Sequence, residues 1–129
     1  MSSDLNIAFY EEHSEAMSPE QLQQQIQNLR TKYPEDINPL FLLFTGSKDE
    51  SGVSWCPDCT RAAPVVLTAL EEYCPDSVLL VLNCKRSEYR DQSFTYRVNE
   101  LIQLTSVPTL IRYDVCVQVS VEVSVEVSV

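Results

Sequence analysis

Leu40-Phe41-Leu42-Leu43-Phe44-Thr45-Gly46, followed after a polar loop by Trp55-Cys56-Pro57-Asp58-Cys59, is the stretch that settles the architecture. Five apolar residues in a row, bounded by Asn38-Pro39 and Thr45-Gly46, read as a strand buried on both faces, as in a central parallel strand. After the cysteine pair, Ala62 to Tyr73 carries a helical pattern with Val66, Ala69, Leu70 and Tyr73 on one face. Pro64 is expected to kink or offset that helix near its start. The cysteine pair therefore sits between a buried strand and a helix N-terminus.

Working outward, Val78-Leu79-Leu80-Val81-Leu82 is a second buried-strand run, and Thr109-Leu110-Ile111-Arg112-Tyr113 a third strand entered through Thr105-Ser106-Val107-Pro108. Between them, Asp91 to Leu104 is expected to be a helix with Phe94, Val98, Leu101 and Ile102 inward. Upstream, Ser18-Pro19-Glu20-Gln21 has the form of a capping box with proline at the first helical position. Leu22, Ile26, Leu29 and Tyr33 then make one apolar stripe, and Pro34 ends the helix. Ile7-Ala8-Phe9-Tyr10 is a candidate first strand. Strands alternating with helices imply an α/β domain with a partly parallel sheet.

From Val115 to Val129 valine occupies every odd position, a strict period of two that suits only a strand. Fifteen extended residues span about 50 Å, against roughly 35–40 Å for the diameter of such a domain. Only part of this tail is expected to pair within the domain. The chain thus divides into a domain over 1–114 and a low-complexity Val-x repeat over 115–129.

Nineteen acidic against nine basic side chains leave a formal net charge of −10. Such a surface repels nucleic-acid phosphates and anionic lipid, so neither is expected as a partner. The N-terminus has no basic segment followed by an apolar run, and no apolar stretch is long enough to span a membrane, so a cytosolic location is expected. Five cysteines, at 56, 59, 74, 84 and 116, form an odd set that does not suggest a disulfide scaffold.

The chemistry lies in Cys56 and Cys59. At a helix N-terminus, unpaired N–H groups and the helix dipole favour a thiolate at Cys56, the attacking species in disulfide exchange. Cys59, one turn on, is placed to attack the mixed disulfide and release reduced substrate. Pro57 stiffens the turn. The Asp58 carboxylate opposes the thiolate and so pulls the couple toward the reducing side. Trp55 is expected to face substrate. The rival reading, half of a zinc site, lacks a second close ligand pair, since Cys74, Cys84, Cys116 and the single His13 are scattered; no metal is expected.

Phe44-Thr45-Gly46-Ser47-Lys48-Asp49, Trp55 to Cys59, Pro64-Val65-Val66 and Val107-Pro108-Thr109-Leu110 together resemble the thioredoxin-related protein family, also called thioredoxin domain-containing protein 17, over roughly residues 38 to 113. The resemblance implies a thioredoxin fold, a central mixed sheet flanked by helices. It also implies a cytosolic protein-disulfide and small-disulfide reductase with no bound cofactor. Thioredoxin reductase would supply electrons from NADPH, substrates would include cystine and some protein disulfides, and a peroxidase activity is ascribed to the family. By position, Cys56 is the nucleophile, Cys59 the resolving thiol and Pro108 the cis-proline lying against the dithiol. Val107 and Thr109 flank it as substrate-binding positions, the Val107 backbone pairing with the substrate chain.

After Tyr113 the family continues with a turn, a last strand and a covering helix, whereas here the Val-x repeat follows. The final helix is expected to be missing, as in a truncated or mis-spliced product. That raises an alternative, a catalytically impaired thioredoxin-fold interaction module. The strand Phe41 to Phe44 carries no buried acid, which leaves the proton acceptor for Cys59 open, with Asp49, Glu50 and Asp58 as candidates. Cys84 is a candidate secondary redox thiol, Cys74 an ordinary semi-buried residue, and His13 a surface histidine. Lys48, Lys85 and Arg86 are loop charges that would be solvated or lend positive potential to the site.

Overall fold

The two continuous apolar runs become the centre of a mixed sheet. β2 (Leu40–Gly46) and β3 (Val78–Cys84) pair in parallel from Leu40↔Val78 to Gly46↔Cys84. β1 (Phe9–His13) adds in parallel to the other side of β3, with Phe9 opposite Val78. β4 (Thr109–Tyr113) runs antiparallel along β2, and β5 (Gln118–Ser120) antiparallel along β4, giving the order β1-β3-β2-β4-β5. The computed structural model describes residues 6–113 and 118–120. Cys116 and most of the Val-x repeat lie outside that range, as does the expectation that the final helix is missing.

Burial on both faces explains why β2 and β3 lack alternation. Leu40, Leu42 and Phe44 of β2 and Val78, Leu80 and Leu82 of β3 pack under α1 (Pro19–Lys32), whose Leu22, Ile26 and Leu29 form the stripe read from sequence. The intervening Leu43, Leu79 and Val81 pack under α2 (Pro57–Tyr73) against Val66 and Leu70. Each buried leucine contributes about 1.5–3 kcal/mol. The Ser18 box forms as read, with Gln21 N–H donating to Ser18 Oγ at 3.2 Å and Ser18 N–H to Gln21 Oε1 at 2.9 Å.

Three expectations need correction. α2 begins at Pro57 rather than Ala62 and continues through Pro64. Its buried stripe is Cys59, Ala62, Val66 and Leu70, while Tyr73, the last helical residue, is 76% exposed. The helix expected over 91–104 is instead the single turn α4 (Thr95–Val98) flanked by turns, and a separate single turn, α3 (Arg86–Tyr89), precedes it. Val98 and Leu101 are 58% and 50% exposed, while Tyr96 and Leu104 are buried.

Local side-chain hydrogen bonds account for the interruption, because Asx turns compete with helix. Asp91 Oδ1 accepts from Ser93 N–H at 2.9 Å and Ser93 Oγ at 2.8 Å. Asn99 Oδ1 accepts from Leu101 N–H at 2.9 Å, and Gln103 takes a left-handed φ of 49°. Tyr96, missed by the periodicity, stacks edge-on with Phe44 and Phe94, and its hydroxyl accepts from Met17 N–H at 2.9 Å.

Leu104→Ala is accordingly expected to cost about 2–5 kcal/mol and Leu101→Ala less than about 1 kcal/mol. Urea unfolding of both variants measures this. Equal losses would restore a continuous helix with Leu101 inside.

Candidate active site

The site is built where β2 ends and α2 begins. Cys56 is the N-cap of α2, Pro57 its first helical residue, and Cys59 N–H donates to Cys56 Sγ at 3.2 Å. The Cys56 sulfur thus receives an orphan helical N–H at the positive end of the helix dipole. Cys56 is 7% and Cys59 2% exposed, and both are free thiols. Burial, followed by the hydrogen bond with Cys56, pushes the Cys59 thiol up to about 12. The Thr45 hydroxyl and the Gly46 N–H, the latter 3.2 Å from the sulfur, pull the other way without overcoming burial.

Gly46 and Ser54, which sequence reasoning passed over, hold this geometry. A Cβ on Gly46 would lie 2.9 Å from Cys56 Cβ, Ser54 Oγ and Trp55 Cε2, so only glycine lets β2 approach the dithiol. Ser54 Oγ donates to the Gly46 carbonyl at 2.9 Å and accepts Cys56 N–H at 3.1 Å. The legible signal was a glycine closing a buried strand just ahead of the motif. The loop between is held by Asp49, whose Oδ1 accepts from Ser51 N–H, Ser51 Oγ and Val53 N–H at 2.8, 2.6 and 3.1 Å. Hydrogen bonds from Ser51 and Val53 lower the Asp49 carboxyl, which is spent on the loop.

On the opposite side lies the Val107–Pro108 peptide, which is cis. The Val107 carbonyl oxygen is 3.9 Å from Cys56 Sγ. Trp55, Cys56, Pro57, Cys59, Val107 and Pro108 are thus brought to one place. Thr109 turns inward, buried, with its hydroxyl donating to Ser106 O at 2.6 Å. Asp58 faces out and pairs with Arg61 at 3.0 Å, which offsets part of the negative charge expected to act on the thiolate.

A family model described as "Thioredoxin domain-containing protein 17-like, thioredoxin domain" matches residues 16–126. The chain belongs to this family. Among relatives, it is 37% identical over 100 residues to the thioredoxin-like protein Clot of Arabidopsis thaliana, covering 75% of this chain and 74% of that one. It is 40% identical over 75 residues to human thioredoxin domain-containing protein 17, covering 57% of this chain and 59% of that protein. The chain therefore spans about three-fifths of the length of that human relative. The crystal structure of oxidised thioredoxin O2 from Arabidopsis thaliana superposes with a TM-score of 0.51 at 18% identity, covering 88% of this chain and 80% of that one. The fold is a thioredoxin fold, and the general function of this thioredoxin-like family is thiol–disulfide redox chemistry. The family match also reaches past Tyr113, where the motif resemblance stopped.

In this family member an aromatic–cation ladder, not foreseen from sequence, links the two sides of the dithiol. Trp55 Nε1 donates to the Cys84 carbonyl at 2.8 Å, and its ring stacks on Tyr89 at 5.2 Å. The Arg97 guanidinium lies 4.4 Å over the Tyr89 ring and donates to Tyr89 O at 2.7 and 2.9 Å and Thr105 O at 3.3 Å. Arg97 therefore ties the Trp55 side to the loop that enters Pro108. Among the described residues, no three His, Cys, Asp or Glu side chains converge as a metal site, and no helix is long and apolar enough to cross a membrane. His13 pairs with Glu11 at 2.9 Å and Lys85 with Glu15 at 3.0 Å.

Burial also pushes Cys84 and Tyr96 up to about 12. Between the ordinary thiol value of 9.0 and about 12, unfolded chains lose protons that the fold keeps, so stability falls as pH rises through that window. Melting of the reduced protein should show a Tm that declines above about pH 9, with a shallower decline in Cys59→Ala. A Tm slope unchanged by that substitution would contradict the shifted Cys59.

Proposed function

We propose that the chain is a dithiol reductase acting on small disulfides such as cystine and on some protein disulfides. It works in the cytosol and is re-reduced by thioredoxin reductase with electrons from NADPH. The supporting observation is the asymmetry of the two thiols. Cys56 caps α2 with its sulfur against an N–H, whereas Cys59 is buried and held protonated. One sulfur is poised to attack and the other is kept in reserve, the division that a two-step exchange requires.

Cys56 Sγ attacks a substrate sulfur, the substrate S–S bond breaks, and the leaving thiolate takes a proton from solvent. Cys59 then attacks Cys56 Sγ, forming the intramolecular disulfide and releasing the second substrate thiol. A substrate chain laid along the Val107 backbone meets the nucleophile there, since the Val107 carbonyl already lies 3.9 Å from Cys56 Sγ. With a peroxide in place of a disulfide, the same dithiol would support the peroxidase activity of the family, through a sulfenic acid at Cys56.

Oxidation of NADPH in the presence of thioredoxin reductase and cystine tests the reading. Cys56→Ser should abolish turnover, and Cys59→Ser should stop after one attack and accumulate a mixed disulfide visible by mass. Turnover that survives Cys56→Ser would overturn the assignment. A folded protein without turnover would point to the interaction module instead.

A further inference from the structure

The reductase reading leaves a proton unaccounted for. Cys59 must lose it before attacking Cys56, yet its thiol is held up at about 12 by burial. None of the three acids near the motif in sequence offers itself. Asp49 is consumed by its loop, Asp58 pairs outward with Arg61, and Glu50, in the same loop as Asp49, does not line the cavity onto which Cys59 opens.

A different carboxylate shares space with Cys59. Behind the dithiol, on the α2 side of the sheet, is a cavity of about 250 Å³ lined by Cys59, Thr45, Asn83, Glu12, Tyr10 and Lys48 among others. Sheet register puts these groups together. Glu12 lies opposite Val81, and Val81 opposite Leu43; Asn83 lies opposite Thr45. With a period of two, Tyr10, Glu12, Asn83 and Thr45 project to one face, forming the polar end of a surface whose other end is apolar. Glu12 is fixed rather than free. Its Oε1 accepts from Asn83 Nδ2 at 3.3 Å, its Oε2 accepts from the Tyr10 hydroxyl, and Asn83 is anchored to the His13 carbonyl at 3.2 Å. Burial, and then the bond to Glu12, keeps Tyr10 protonated as a donor well above the usual phenol range.

We propose that Glu12 is the acceptor of the Cys59 thiol proton during resolution of the mixed disulfide, reached through Thr45 and the solvent that this cavity is wide enough to hold. The proposal rests on the reductase reading above. The Cys59 S–H proton passes to the Glu12 carboxylate, and the freed electron pair forms the Cys59–Cys56 bond. The Cys56–substrate bond breaks, its electron pair leaves on the substrate sulfur, and that thiolate is protonated from solvent. Glu12 then returns its proton to bulk through its exposed side. The groups facing Glu12 that carry or exchange charge are Tyr10 on its own strand, Lys48 from the loop after β2, and Cys59 from α2; Asn83 of β3 is neutral.

The test mixes reduced protein in excess over 5,5′-dithiobis(2-nitrobenzoate) and follows the two releases of thionitrobenzoate by stopped flow. The first release reports attack by Cys56 and the second reports resolution by Cys59, with Cys59→Ser as the baseline. Glu12→Gln should slow the second release roughly 10²-fold at pH 7. The deficit should shrink about tenfold per pH unit toward alkaline pH, as hydroxide replaces the missing base. Glu12→Asp, which keeps the carboxylate, should retain most of the rate. A second release in Glu12→Gln with the wild-type rate and pH profile overturns the proposal, as does a slowing that is uniform across pH. Absence of the first release in the wild type overturns the reductase reading itself, a separate result.

Discussion

The close approach of the Gly46 backbone to the cysteine pair is the constraint on which the site depends. The strand ends with a residue that has no Cβ, and any side chain there would press to 2.9 Å on Cys56, Ser54 and Trp55 together. Cys56 Cβ and Ser54 Oγ lie within two bonds of the backbone of a packed turn, so they cannot move away without shifting the start of α2. Freed of that side chain, Gly46 uses both its polar groups on the site, its N–H on Cys59 Sγ and its carbonyl on Ser54 Oγ. Ser54 in turn holds the N–H of Cys56. The rigid centre of the sheet is thereby transmitted directly to the two sulfurs.

From that contact follows the inequality of the thiols. Both are largely buried, but one sits at the mouth of a helix dipole and the other one turn inside, against the sheet. Desolvation penalises the charged form, so the inner sulfur keeps its proton, while the capping sulfur receives the Cys59 N–H. The ladder of Trp55, Tyr89 and Arg97 fixes the far wall, drawing the loop before Pro108 and the turn before Cys56 to a common support.

The C-terminal region shows how far a strong local pattern reaches. Alternation of valine with polar residues specifies extended chain, and Gln118–Ser120 does pair with Tyr113–Ile111 on β4. That pairing places β5 at the sheet margin, beside a strand that shares β2 with the rest of the core. The family match runs to residue 126 and so takes in most of the repeat.

Burial of β2 and β3 on both faces, the capped first helix and the dithiol at the head of the second were legible in sequence, because each depends on neighbours within a few residues. Continuous apolar runs, an Ser-x-x-Gln box and two cysteines one helical turn apart are short-range patterns with short-range causes. The segment from Asp91 to Leu104 misled for the complementary reason. Its apolar spacing fits a helix, but Asp91 and Asn99 side chains captured the backbone, and Tyr96 rather than Val98 found the core. Glu12, Thr45 and Asn83 lie on three different strands, separated by up to 71 residues, and nothing local marks them as lining one cavity with Cys59. Sequence alone determined that two cysteines stand one turn apart at the head of a helix, since that spacing is a matter of neighbouring residues. Only the tertiary structure decided which polar groups surround them, because register across a sheet is set by packing and not by proximity along the chain.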